Sequence, residues 1–236
     1  MDREKYVMLG HSHIIGDLIE IIHLNNGILT KIVQNITEPA YKGRPYLKQR
    51  LARLQDINFN QKYVNQLYPI SVQSMANFTP QQDEKYIIGF TGFKMLNFVQ
   101  DLTQNLGIQF TSLIHPSTII APNVQLSPGS IIQAGAIIAS GVKIKEHTFI
   151  NKGVNIDCNT TIERFASLAP GTIVGQNTLI GTGVMLGIGS VILDGLVVHN
   201  YSMVAAGATV VEYVPSHTLV AGIPAVIKKT NLYKTI

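Results

Sequence analysis

Residues 144–192 read IKEHTF INKGVN IDCNTT IERFAS LAPGTI VGQNTL IGTGVM LGIGSV I, and every block of six opens on Ile, Leu or Val. The register extends in both directions. From Ile114 to Val210 every sixth residue is aliphatic, seventeen in a row without an exception. An α-helix returns an apolar residue every three or four positions, and a half-buried strand every two. A period of six held this long is neither. It fits a coil of three short strands, ~18 residues per turn, with one aliphatic side chain per face pointing inward.

The other positions agree. Four residues after most of the aliphatics stands a small or β-branched residue, as in Val124, Ser130, Ala136, Val142, Thr148, Val154, Thr160, Ala166, Thr172, Thr178, Val184, Ser190, Ser202 and Ala208. Such side chains can share a narrow interior with the larger residue. Three residues after the aliphatic there is often Gly or Asn: Asn123, Gly129, Gly135, Gly141, Gly153, Asn159, Gly171, Asn177, Gly183, Gly189, Gly195 and Gly207. A corner of the coil needs backbone with φ > 0, which Gly adopts freely and Asn tolerates. The expected fold is therefore a parallel β-helix of hexapeptide repeats. At ~4.8 Å between stacked strands, five to six coils make a prism roughly 25–30 Å long.

The chain has 236 residues, enough for one large or two modest domains. It is 46% hydrophobic and 14% charged, with a formal net charge of +4. That charge is mild, and no Lys/Arg cluster resembles a nucleic-acid stripe, so a small anionic ligand is favoured over nucleic acid. A single cysteine, Cys158, excludes an intrachain disulfide and a Cys-rich metal site. No signal peptide or membrane span is expected, which points to the cytoplasm.

Before residue 108 the pattern changes. Tyr6–Gly10 reads as a short buried strand, and the loop His11-Ser12-His13 follows. Ile14–Leu24 carries helix-spaced apolar residues, and Asn25-Asn26-Gly27 stops it. Ile28–Val33 and Tyr86–Phe90 read as further strands. Lys94–Leu106 reads as a helix stopped by Gly107. This order suggests a small Rossmann-like α/β domain over residues 1–107, a β-helix domain over 108–215 and a tail over 216–236. Residues 35–83 are polar and Gln/Asn-rich, with one helix expected at Lys48–Leu54.

A small α/β domain followed by a hexapeptide prism resembles the sialic-acid O-acetyltransferase and bacillosamine N-acetyltransferase type of family. The strings that carry the resemblance are Ile114-His115-Pro116-Ser117, Ile150-Asn151-Lys152-Gly153, Ala169-Pro170-Gly171, Gly187-Ile188-Gly189, Ala206-Gly207-Ala208-Thr209-Val210-Val211 and Gly222-Ile223-Pro224-Ala225. Their order and spacing match without a gap from about residue 86 onward. The resemblance implies a left-handed β-helix, a homotrimer, and acetyl-CoA lying between neighbouring prisms. It implies acetyl-CoA contacts at Ser167, Gly187, Ile188 and Ala206. Lys228 and Lys229 read either as partners of the CoA phosphates or as a solvated tail. The acceptor would be a UDP- or dTDP-linked amino sugar held by Gly10, His11, Ser12, His13, Gln34 and Asn35. The loop lacks the middle glycine of the dinucleotide fingerprint.

The sequence departs from the family at its centre. The histidine that serves as base, and its acidic partner, align with Cys158 and Asn159. A second histidine, which contacts acetyl-CoA, aligns with Ser167. The catalytic candidates are therefore Cys158, Asn159, Asn151 and His147. Four explanations stand open. Positioning and amide donors suffice without a base. Another group, such as His147, Asp157 or a neighbouring subunit, supplies it. The chain binds without catalysing, as a nucleotide-sugar or CoA binding protein. Or Cys158 carries the acetyl group covalently. An amine is easier to activate than a hydroxyl, so the missing histidine tilts the expectation from O- to N-acetylation. No metal site is expected, because His115, His147 and His199 do not recur on adjacent coils.

Overall fold

The computed structural model describes residues 3–34, 46–54 and 70–233. The chain divides into two compact units, Met1–Phe90 and Thr91–Ile236.

The first unit carries β1 (Glu4–Leu9), α1 (Ile15–Leu24), β2 (Gly27–Gln34), α2 (Leu47–Leu54), β3 (Ser71–Ser74) and β4 (Glu84–Ile88). The four strands form one parallel sheet in the order β3-β2-β1-β4. Tyr6, Val7, Met8 and Leu9 are all buried, the continuous apolar run of a central parallel strand. Helix α1 buries Ile15, Leu18, Ile21 and Ile22 along one stripe. Helix α2 buries Leu47 and Leu51, one turn apart, and the Tyr46 N–H donates to Gln49 Oε1 at 3.0 Å to cap its start. Strand β3 was invisible in the sequence. Its residues, Ser-Val-Gln-Ser, show no apolar alternation and are mostly exposed, and only pairing with β2 makes them a strand. At the amino edge of the sheet, Lys5 pairs with Asp83 at 2.7 Å, Lys85 with Glu4 at 2.6 Å, and Lys31 with Glu84.

The second unit opens with a tight turn at Phe93–Met95 and helix α3 (Leu96–Leu106). Gly107, in the left-handed region at φ 64°, ends the helix where expected. Two-residue strands then follow every six residues, from β5 (Leu113–Ile114) to β21 (Thr209–Val210). They pair in parallel with the strand eighteen residues on, as in Ile131 with Phe149 and Phe149 with Ser167. The coil is thus eighteen residues, in three faces. The first face holds the strands at Leu113–Ile114, Ile131–Ile132, Phe149–Ile150, Ser167–Leu168, Met185–Leu186 and Met203–Val204. The second runs from Ile119–Ile120 to Thr209–Val210, and the third from Gln125–Leu126 to Val197–Val198.

Fourteen of the seventeen periodic aliphatics, from Ile132 to Val210, are buried, and they form one core with Ala136, Val142, Val154, Ala166, Val184 and Ala208. Ile114, Ile120 and Leu126 belong to the first coil and are only partly covered. Two of the buried interior hydroxyls return to the backbone as follows: Thr160 donates to the Gly175 carbonyl at 2.9 Å and Ser130 to the Lys145 carbonyl at 2.9 Å.

Every sixth residue from Gly129 to Gly207 has positive φ, the corner register expected from the Gly/Asn pattern. Asn123, expected among them, does not adopt it. Three corners hold neither Gly nor Asn: His147 at φ 55°, Phe165 at 60° and Tyr201 at 57°. All three lie on the edge between the third and first faces. A left-handed backbone costs such residues ~1–2 kcal/mol each. Ring contacts offset it. His147 stacks on Phe165 with centroids 5.4 Å apart, Phe110 meets the edge of His147 at 4.8 Å, and Tyr201 stacks on His217 at 5.2 Å. Gly183 interrupts the column. A Cβ there would lie 2.9 Å from both Phe93 Cβ and Tyr201 Cδ1. Phe93 fills the gap, 4.3 Å from the Tyr233 ring.

The hexad register ends because the last coil is two residues short. Val214 pairs with Val198, and Leu219 with Met203, at spacings of sixteen. Residues 216–236, read from sequence as a tail, carry β22 (Leu219–Ala221), which extends the first face, and β23 (Val226–Lys229), which pairs antiparallel with it.

Candidate functional site

In the first unit the carboxyl ends of β1, β2 and β4 bring the expected acceptor residues to one edge. The Gly10 N–H donates to the Val33 carbonyl at 2.8 Å, and the Gly89 N–H to the Leu9 carbonyl at 3.0 Å. The sheet ladder thus runs on into the loop. Gly10 and Gly89 touch backbone to backbone, since a Cβ on Gly89 would lie 2.2 Å from the Gly10 oxygen. The Ser12 hydroxyl donates to the Gly89 carbonyl at 3.0 Å. The Ser12 carbonyl accepts from the Arg50 guanidinium of α2. His11 is half-buried, His13 is exposed, and Gln34 closes β2. Asn35 lies outside the described residues. Arg50 was not among the expected site residues. The Leu47/Leu51 spacing announces the helix, but nothing in the sequence says which loop the helix meets.

In the second unit the expected residues divide among the three edges of the prism. Asn151, Gly187, Ile188 and Ala206 lie on the edge between the first and second faces. Ser167 stands on the first face and Lys228 on β23, which extends that face. Cys158 and Asn159 lie on the edge between the second and third faces. Successive corners are six residues apart, so two edges are separated by roughly 20 Å at most. Along an edge, Asn151 and Ala205 are three coils apart, ~14 Å.

The edge between the first and second faces is lean and apolar toward its carboxyl end. Gly187 has no room for a Cβ, which would meet the Ala206 nitrogen at 2.4 Å. Ile188 is 62% exposed. Asn151 Oδ1 accepts the Lys152 N–H at 2.8 Å, so its –NH₂ is the group left to meet a ligand. On the next edge Cys158 is half-buried, and its N–H donates to Asp157 Oδ1 at 2.7 Å. The Asn159 carboxamide lies over Gly141, where a Cβ would come within 2.4 Å of Oδ1.

His147 stands apart, on the third edge. It is 8% exposed, its Nδ1 has no hydrogen-bond partner, and burial lowers its pKa to about 4 against a weaker opposing pull from Glu146. Within one chain the structure does not bring His147 to Cys158. Its neighbours are Phe110 and Phe165. Among the described residues no group of three or more His, Cys, Asp or Glu side chains is gathered to hold a metal ion, and no helix is long and apolar enough to cross a membrane.

No family model and no curated protein matches the chain by sequence. Solved structures do match over nearly its whole length. A histidine-to-asparagine variant of perosamine N-acetyltransferase from Caulobacter crescentus, in complex with CoA and GDP-perosamine, is 21% identical with a TM-score of 0.73, over 95% of this chain and 97% of that one. The acetyltransferase domain of PglB from Neisseria gonorrhoeae FA1090, in complex with acetyl coenzyme A, is 19% identical with a TM-score of 0.76, over 96% and 100%. WeeI from Acinetobacter baumannii AYE is 15% identical with a TM-score of 0.54, over 94% and 98%. At these identities the likeness is one of fold, and the fold shared is the left-handed hexapeptide β-helix.

Proposed function

We propose that the chain transfers the acetyl group of acetyl-CoA to the amino group of a nucleotide-linked amino sugar, as a cytoplasmic homotrimer. The observation that carries this reading is that the expected acetyl-CoA positions and the Cys158–Asn159 pair fall on neighbouring edges of the prism. The acetyl-CoA positions follow one edge and its face. Cys158 and Asn159, where the resembled family has its base, follow the next. A groove between two copies is where such edges meet, and ~14 Å of edge suits the extended arm of acetyl-CoA. The exposed Ile119, Ile137 and Ile173 on the second face, 65%, 42% and 48% accessible, give a ring of three an apolar surface to bury. The carboxyl edge of the first unit's parallel sheet supports a Rossmann-like site for the nucleotide-sugar. The solved relative that holds both CoA and GDP-perosamine supports the same pairing of ligands, and leaves UDP, dTDP and GDP as nucleotides to be tried.

The reaction on this reading needs no histidine. The neutral amine attacks the thioester carbonyl carbon. The C–N bond forms, the C–S bond breaks, and the nitrogen gives its proton through solvent to the departing thiolate. The chain supplies alignment, worth much of the barrier when reacting atoms are held ~3–3.5 Å apart. The Asn151 –NH₂ is the donor assigned to the developing oxyanion. A histidine-to-asparagine variant of perosamine N-acetyltransferase still holds both CoA and GDP-perosamine.

The test is thiol release from acetyl-CoA in the presence of UDP-, dTDP- and GDP-linked amino sugars. Release above hydrolysis is expected with an amino sugar, and Asn151→Ala lowers it about a hundredfold. Release only with hydroxyl acceptors would make the chain an O-acetyltransferase. Binding of CoA and nucleotide-sugar without any release would make it a binding protein.

A further inference from the structure

Between β2 and β3 the sequence shows no motif, yet α2 delivers one charged side chain to the carboxyl edge of the sheet. We propose that Arg50 is a positioning residue for the nucleotide-linked acceptor: its hold on the Ser12 carbonyl sets the Gly10–Ile14 loop and puts a permanent cation beside the diphosphate. The inference rests on the acceptor site proposed above.

Three observations lead there. Helix α2 is docked by Leu47 and Leu51, 1% and 7% exposed, on one stripe of the helix. The bond from Arg50 to Ser12 is therefore additional to what seats the helix. Second, Ser12 is tied from two sides, its hydroxyl to the Gly89 carbonyl at the end of β4 and its carbonyl to Arg50. The centre of the loop is clamped between strand and helix. Third, a loop that receives an anion must keep its carbonyl dipoles turned away from it. A guanidinium does this for the Ser12 carbonyl, and does so at every working pH, because it does not lose its proton.

The experiment uses the full chain, with Arg50→Ala and Arg50→Lys beside the wild type. Steady-state kinetics are measured with each substrate varied in turn. Arg50→Ala raises KM for the nucleotide-linked amino sugar about ten- to hundredfold, the weight of one charge-assisted hydrogen bond. KM for acetyl-CoA and kcat stay within about twofold, and Arg50→Lys, which keeps the charge, recovers part of the loss. An unchanged acceptor KM overturns the inference. So does a parallel rise in both KM values, which is what mere loosening of the unit would give. Should the wild type transfer no acetyl group, calorimetric titration with UDP, dTDP and GDP separates the two readings. Weaker binding of a nucleotide to Arg50→Ala than to wild type upholds the role of Arg50 while the acetyl-transfer reading fails. Equal binding, or no binding of any of the three by the wild type, overturns it.

Discussion

The first unit and the prism are both built on parallel strands, but they hold those strands by different means. In the first unit each strand is four to eight residues long and is framed by helices and by ion pairs at one edge. In the prism each periodic strand is two residues long, and from β5 to β21 each pairs with the strand eighteen residues away. Such strands are too short to stand alone. They persist because one aliphatic per face stacks on the coil above and below, and because the corners accept a left-handed backbone. The difference teaches where each region is vulnerable: the prism at its corners and its stacking, the first unit at its edges.

The largest test of this contrast uses two corner glycines with nearly the same backbone. Gly183 sits at φ 65° with Phe93 and Tyr201 against it, whereas Gly195 sits at φ 70° with nothing within 4 Å. Gly195→Ala pays only for the left-handed backbone, about 1 kcal/mol. Gly183→Ala adds the displacement of two rings and loses about 3 kcal/mol. Urea unfolding measures both, and equal losses would mean that Phe93 is not seated at this corner.

The next effect is on pH dependence. His147 titrates at about 4 in the fold, against about 6.5 in an unfolded chain. Its neutral ring is the form the stack prefers. That contribution is whole above pH 6.5 and is lost as the pH falls toward 4. Between pH 7 and pH 5 the wild type is expected to lose about 2 kcal/mol more than His147→Phe, which has nothing to protonate at that place. Parallel stability curves for the two proteins would remove His147 from the aromatic column.

These two sites also mark the limit of what could be read from sequence. The interior was legible because a period of six has no local competitor: Ile132 through Val210 could be named as core before any coordinates. The corner glycines were legible for the same reason. His147, Phe165 and Tyr201 were not, because an aromatic residue at positive φ runs against local preference, and only contact with rings one coil away makes it favourable. The strands at Leu219–Ala221 and Val226–Lys229 were not legible, because two residues are dropped between Val210 and Val214 and the register that would announce them is lost. On the candidate site, the loop from Gly10 to His13 was legible as a turn after a buried strand. Arg50 was not, since its role depends on where α2 docks. The division of Asn151, Cys158 and His147 among three edges follows from the period, but only once the corners are assigned.

A smaller effect is expected at the amino edge of the first unit. The Glu84 side chain is 5% exposed, pairs with Lys31 and accepts the Tyr86 hydroxyl at 2.9 Å. Glu84→Gln leaves the half-buried Lys31 without its countercharge and is expected to cost about 1–2 kcal/mol. Lys5→Met, which breaks the exposed pair with Asp83, changes stability little. If the two substitutions cost the same, the edge is a solvated fringe and the contrast with the prism weakens.

The smallest expected effect bears most directly on chemistry. Cys158→Ala removes the only thiol of the chain from the edge between the second and third faces. If the acetyl group passes straight from CoA to the amine, kcat stays within about twofold, because a partly exposed corner side chain is exchanged for another small one. A covalent route would lose at least about a hundredfold with the nucleophile. The pH profile adds a second criterion. With no base on the protein, kcat/KM follows the fraction of neutral amine, and the rise with pH ends at the pKa of the free acceptor in wild type and variant alike. A limb that instead ended at the same pH for acceptors of different basicity would belong to a group on the protein. Its disappearance in Cys158→Ala would assign that group to the thiol, and its persistence would direct the search to the facing edge of a neighbouring copy.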